Sequence, residues 1–231
     1  FDDIYVVEEY NHRVQVFDAD GTHRAFIGSY GTGQGEFKYP LGIALDSKGN
    51  IYVVDYQNDR IQKFNTDGQF ITEWGRRGTG DGEFRGPYYI ESDSDDNVFV
   101  VDRSNNRIQK FDSDGNFITK WGRNGGDGTS GTGDGEFNYP HEIAVDFAGN
   151  VYVADMYNNR FQVFTGDGTF LGSWGDSNLF GLAKAIAVDD SYNVFVIDIF
   201  PADDSLDVIT RWSPRNMVRC TFFESDGCIP G

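Results

Sequence analysis

Three groups of residues in this 231-residue chain have the type and spacing to do chemistry. Asp55 and Arg60, Asp102 and Arg107, and Asp155 and Arg160 each lie five apart around an Asn-x-Arg triplet, and Glu8 with Arg13 copies them. A carboxylate so placed is either a base or half of an ion pair. Its return in the first four repeats marks a structural clamp, and none of these carboxylates is assigned a catalytic role. The second group is Glu91 with the adjacent His141 and Glu142. Imidazole titrates near neutrality and binds metals, so these three are the candidates for acid–base or metal-assisted chemistry. The third group is glycine-rich, as in Gly31-Thr32-Gly33-Gln34-Gly35. A phosphate cradle needs a following helix whose N-terminus meets the anion, and strands follow here.

Two calcium-like patterns fall away on spacing. Asp112-Ser113-Asp114-Gly115 and Asp18-Ala19-Asp20-Gly21 open like an EF-hand loop but lack its glycine at position six and its glutamate at twelve. They read as hairpin turns. The long insert 125–136 contains Asp127, Asp134 and Glu136 and reads as a polar loop. No Gly-x-Ser-x-Gly elbow occurs.

The elements that must position these residues repeat. Ile4-Tyr5-Val6-Val7-Glu8 returns from Ile51, Val98, Val151 and Val194, at steps of 47, 47, 53 and 43 residues. Behind the first four come Asn-x-Arg, an alternating strand, and an Asp-Gly turn at Gly21, Gly68, Gly115 and Gly168. Glycine supplies the positive φ such turns need. A third strand then ends in an aromatic-Gly pair, read as Tyr30-Gly31, Trp74-Gly75, Trp121-Gly122 and Trp174-Gly175. A glycine-rich loop leads to Pro40, Pro87 or Pro140 and an Ile-Ala-type strand. Four short antiparallel strands per repeat make the blade of an all-β propeller. The repeats run 1–37, 38–84, 85–137, 138–180 and 181–231 within one domain. The first lacks its inner strand, so the chain is expected to be part of a larger ring, with the gap covered by a partner or by further parent sequence; the alternative is a compact five-bladed closure in which the tail bridges the seam. Pro230-Gly231 reads as the lead into another inner strand, and Phe1 as a processing boundary.

These motifs resemble the NHL-repeat family: Pro-x-Gly-Ile-Ala-x-Asp, Gly-Asn-Ile-Tyr-Val-x-Asp, Asn-x-Arg-Ile-Gln-x-Phe, Asp-Gly and Trp-Gly in register. The resemblance covers nearly the whole chain through Gly175 and implies a six-bladed ring, commonly secreted or surface-displayed in microbes and used for binding. It extends to peptidyl-hydroxyglycine lyases, which hold zinc through histidines after the blade proline. His141 stands there, but its counterparts are Leu41, Tyr88 and Lys184. A catalytic zinc takes about three protein ligands, and the other histidines, His12 and His23, belong to other parts of the blade.

Positions that vary between blades are free for function. The turn before Asn-x-Arg and the loop entering the inner strand open on one face, which gathers Leu41, Tyr56, Tyr88, Arg103, His141, Glu142, Met156 and Tyr157, with Glu91 in the channel, as candidate ligand-binding residues. Composition narrows the partner. With 39% hydrophobic and 16% aromatic residues the chain is not disordered, and apolar runs as short as Ile51–Val54 cannot span a bilayer. Nineteen basic against 37 acidic residues, net −18, argues against nucleic acid. Cys220 and Cys228, isolated near the end, are expected to form a disulfide, which suits an extracellular or cell-surface chain. The expectation is therefore a non-enzymatic module with no cofactor and no resident metal. It would present an acidic, aromatic-rimmed face to a protein, peptide or glycan, alone or within a surface assembly. The alternative is a metal-assisted lyase or hydrolase with its site in the central channel.

Overall fold

The computed structural model describes residues 3–175, 181–189 and 191–197, and the backbone alone at 198–199, 208–212, 220–221 and 229–230. Its strands form successive antiparallel sheets. The first contains β1 (Ile4–Glu8), β2 (Arg13–Phe17) and β3 (His23–Ile27). The second contains β4 (Pro40–Leu45), β5 (Ile51–Asp55), β6 (Arg60–Phe64) and β7 (Phe70–Trp74). The third runs β8 (Pro87–Ser92), β9 (Val98–Asp102), β10 (Arg107–Phe111), β11 (Phe117–Gly122), and the fourth β12 (Pro140–Val145), β13 (Val151–Asp155), β14 (Arg160–Phe164), β15 (Phe170–Trp174). In the fifth, β16 (Leu182–Val188), β17 (Val194–Ile199) and β18 (Val208–Trp212) are followed by β19 (Cys220–Thr221) and β20 (Ile229–Pro230). Each sheet is one blade of a β-propeller, and β4, β8, β12 and β16 lie side by side as its inner strands.

The apolar residues face between blades. One cluster joins Val14, Phe37, Val53 and Phe64 across the first and second sheets, and equivalent clusters fill the three following gaps. Strands β5, β9 and β13 are buried throughout, which is why Ile-Tyr-Val-Val reads as a continuous apolar run rather than an alternating one. The recurring turn glycine has a packing reason as well as a dihedral one. A Cβ on Gly115 or Gly168 would lie 2.6 or 2.8 Å from the Trp74 or Trp121 ring of the preceding blade. Gly68 holds the same relation to Ile27, at 2.8 Å. Ile27-Gly28 is therefore the first blade's counterpart of Trp-Gly. Tyr30-Gly31, expected in that role, lies beyond it, where Tyr30 bridges Phe37.

The Asp–Arg pairs bolt one blade to the loop of the preceding one. Asp102 Oδ2 accepts from Arg107 Nε at 2.7 Å, from Asn105 at 2.9 Å and from Gln109 at 3.2 Å, while Oδ1 accepts the Arg85 N–H. Arg107 then donates to the carbonyls of Thr79, Gly80 and Glu83. Asp55 with Arg60 and Asp155 with Arg160 repeat this scheme. The glycine-rich loops do cradle an anion, and it is their own. Glu36 Oε2 accepts the N–H groups of Thr32 and Gly33, and Glu83 and Glu136 accept those of Gly80 and Gly133.

Two expectations on the last sheet meet the structure differently. Pro230, read as the lead into a further inner strand, pairs with Cys220 instead. Cys228, expected to bond Cys220, lies outside the described residues.

Where inner strands approach most closely, a Cβ on Gly42 would come within 2.9 Å of Ile90 N and Tyr89 Cα, which are backbone atoms and cannot swing aside. Gly42→Ala is expected to force β4 from β8 and to lower stability by about 1–3 kcal/mol, measured by urea denaturation. An unchanged midpoint would show that the inner strands are not locked at this distance.

Candidate functional site

In the first four blades the chain turns from its second to its third strand through one tight turn closed by a left-handed residue: His12, Asp59, Asn106 or Asn159. These turns and the loops that enter the inner strands share one face, hereafter the rim. The hairpins between first and second strands, and those carrying Asp-Gly, share the opposite face.

On the rim, variable residues of three blades converge. The Arg103 guanidinium lies 4.2 Å from the Tyr88 ring centroid and 4.6 Å from that of Tyr139, a cation held against two aromatic faces. Its Nη2 approaches Met156 Sδ at 3.8 Å. Tyr139 stacks on Tyr157 at 5.2 Å, Tyr88 touches the His141 ring at 4.5 Å, and Tyr56 meets Tyr88 edge-on at 6.3 Å. Two buried atoms of this cluster, Arg103 Nε and His141 Nδ1, have no hydrogen-bond partner. A buried polar atom left unpaired costs about 1–3 kcal/mol. Tyr157, at the edge of the cluster, is half exposed.

Below the rim, Glu91 on β8 and Glu142 on β12 face the channel. Burial pushes the Glu142 carboxyl up to about 7, with Glu91 adding like-charge repulsion, and burial pushes Glu91 up to about 7 as well. His141 is only 8% exposed. Burial, and secondarily the Arg103 charge, lower its imidazole to about 4, so at neutral pH it is uncharged.

Most of the residues expected at the mouth are therefore brought together: Tyr56, Tyr88, Arg103, His141, Met156 and Tyr157 form one contact network. Glu142 sits one residue below it. Leu41 on β4 and Glu91, which lines a cavity with Asp3, Tyr5 and Leu45, stand apart from it. Tyr139 is the missed member. Its place directly before the blade proline was the available signal. The rim carries charge of both signs, with Arg77, Arg85, Arg103 and Lys184 beside exposed Asp81, Asp127 and Asp134, while exposed Asp20, Asp67, Asp95, Asp114 and Asp167 occupy hairpins of the opposite face.

The zinc of the lyase branch does not fit these residues. His12 Nδ1 accepts the Tyr39 N–H and its ring packs on Tyr30. His23 packs on Phe17 and Phe26, so neither converges with His141. Among the described residues no group of three or more His, Cys, Asp or Glu side chains is placed to hold a metal ion.

Comparison with known proteins agrees with the architecture. A family described as a 6-bladed beta-propeller matches residues 2–75, and the NHL repeat matches residues 137–164. NHL repeat-containing protein 3 of Homo sapiens is 50% identical over 50 residues, a match spanning 21% of this chain and only 14% of that protein. Among solved structures, virginiamycin B lyase from Staphylococcus aureus superposes with a TM-score of 0.70 at 13% identity, over 95% of this chain and 66% of that one. A chain of a Nidogen/Laminin complex gives 0.70 at 17% identity, over 96% and 75%. Likenesses at such identities carry the fold alone. With the blade motifs in register and the NHL repeat matched at its fourth blade, the chain is a β-propeller that carries an NHL repeat.

Proposed function

We propose that this chain is a non-enzymatic binding module that works outside the cytoplasm and takes a protein, peptide or glycan partner on its rim, alone or within a surface assembly. The observation that carries the reading is Arg103, held between Tyr88 and Tyr139 with its Nε buried and unpaired. Arginine and tyrosine dominate the energetics of recognition surfaces. The blade scaffold does not require this cluster, since its positions differ from blade to blade, and the conserved duties of the repeat fall to Asp102, Asn105, Arg107 and Gln109. NHL propellers generally serve as interaction scaffolds, in line with this reading. The extracytoplasmic placement rests on the Cys220–Cys228 expectation.

The test is selection from a peptide and glycan array by the whole chain. A ligand is expected that Tyr88→Ala and Tyr157→Ala each weaken by about tenfold or more, with melting temperatures close to that of the parent. An array that yields nothing, or ligands indifferent to both substitutions, would overturn the reading.

A second reading, a metal-assisted lyase or hydrolase, draws on His141, Glu142 and Glu91 in the channel and on the fold shared with virginiamycin B lyase. Elemental analysis of the purified chain separates the two. Stoichiometric zinc or calcium that disappears in His141→Ala would favour the enzyme.

A further inference from the structure

The residue before the blade proline has the same backbone in three blades: φ is 52° at Tyr39, 57° at Gly86 and 60° at Tyr139. Its N–H is accepted by the turn residue of the preceding blade each time, by His12 Nδ1, Asp59 Oδ1 and Asn106 Oδ1 respectively. Only the side chain differs. The Tyr39 ring packs on Tyr10 and His12, and the Tyr139 ring on Tyr157 and Arg103. At Gly86 the ring is missing, Tyr56 stands where Arg103 holds the Tyr139 ring, and the other holding positions carry small or polar side chains. Gln57 replaces Tyr10, Asp59 replaces His12, and Ser104 replaces Tyr157. A cavity of about 320 Å³ opens there, lined by Tyr56, Gln57, Asp59, Arg77, Arg85 and Ser104. That volume is at the small end of ligand pockets, roughly 300–1,000 Å³.

The charges in this slot are unspent. Arg76 beside it is paired with Glu83, whereas Arg77 and Arg85 are exposed and form no ion pair among the described residues. Asp59 is buried, with Oδ1 already accepting the Gly86 N–H. Two guanidinium groups against one carboxylate leave a single positive charge, which a monoanion neutralises and a phosphate dianion would exceed. Guanidinium forks suit a carboxylate geometrically. In the second and fourth blades the same slot is filled by the chain's own Tyr39 and Tyr139 side chains.

We propose that the Gly86 slot is a binding site for the carboxylate side chain of an acidic peptide, which takes the place that tyrosine fills in the neighbouring blades. This rests on the rim being the binding face and supplies the chemistry of the partner.

The probe is a capped pentapeptide with glutamate flanked by glycines, titrated calorimetrically into the whole chain beside its glutamine counterpart, a glucuronate disaccharide and inorganic phosphate. Saturable binding of the glutamate peptide at about millimolar Kd or tighter is expected. The glutamine peptide should bind at least about tenfold more weakly, and added salt should weaken the glutamate peptide. Gly86→Tyr restores the sibling sequence at a φ that Tyr39 and Tyr139 already adopt, and it should abolish binding. The Arg77→Gln/Arg85→Gln double variant changes only exposed side chains and should do the same with an unchanged melting temperature. No saturable binding, equal binding of both peptides, glucuronate or phosphate binding as tightly as the peptide, or binding that survives the double variant would each overturn the proposal. An array ligand lost in Tyr157→Ala but untouched by Gly86→Tyr would sink the slot and leave the rim reading standing. Glutamate-peptide binding lost in Gly86→Tyr, with no ligand dependent on Tyr88 or Tyr157, would do the reverse.

Discussion

Arg107→Ala is expected to lower stability by about 3–5 kcal/mol, because it removes one partner of a buried ion pair and strands the other. Arg107 and Asp102 side chains are both fully buried, 2.7 Å apart. Without the guanidinium, buried Asp102 must either hold an unpaired charge or take up a proton, and the carbonyls of Thr79, Gly80 and Glu83 lose their donor. Exposure ranks the sibling bolts. The Arg60 side chain is 9% exposed, Arg160 14% and Arg13 33%, so the loss should shrink in that order. Arg13→Ala, whose pair with Glu8 is solvent-screened, should cost about 0–1 kcal/mol. Urea denaturation of the four variants checks this, and equal losses for Arg107→Ala and Arg13→Ala would show that the bolts are not what joins the blades.

The channel carboxylates give the second large effect, through pH. Glu91 and Glu142 titrate near 7 in the folded chain against an ordinary 4.5. Between those values the folded state binds protons that the unfolded state does not. Their contribution is therefore complete below about 4.5 and is lost as pH rises toward 7, by roughly 1–3 kcal/mol for each group. His141 acts in the opposite sense. Its folded value of about 4 lies below the ordinary 6.5, so its contribution is present above 6.5 and lost as pH falls toward 4. The Glu91→Gln/Glu142→Gln variant should gain stability over the parent at about pH 8 and little at about pH 4, while His141→Gln should steepen the decline toward neutral pH. A difference between the glutamine variant and the parent that does not change with pH would mean that both carboxylates ionise in the channel as they do in water.

The fold was legible because each recurring residue has a task between blades. Asp-Gly seats the tryptophan of the preceding blade, Asn-x-Arg-x-Gln reaches its loop carbonyls, and Phe37, Phe84 and Phe137 fill its core. The misread pair Tyr30-Gly31 shows the limit of matching by residue type. Isoleucine replaces tryptophan at position 27, and the nearest aromatic-Gly pair drew the assignment away from Ile27-Gly28. The candidate site was half legible. Variation between blades pointed to Tyr88, Arg103 and Tyr157, but the cation–aromatic stack depends on Tyr139, which looked like part of the scaffold. Gly86 escaped notice because a missing ring leaves no residue to notice. Only the side chains around Tyr39 and Tyr139 reveal what its slot lacks.

The claim at the centre is that the clamp residues hold the propeller together while the variable rim binds. Affinity for one array-selected ligand, measured on the folded fraction of the parent, Arg103→Ala, Arg107→Ala and the outer-strand control Leu171→Ala, tests it most directly. Arg103→Ala should lose about tenfold or more in affinity at near-parent stability. Arg107→Ala should lose stability while its folded fraction binds as the parent does, and Leu171→Ala should change neither. Parent-like affinity in Arg103→Ala, or equal loss of affinity in Arg103→Ala and Leu171→Ala, would contradict the account.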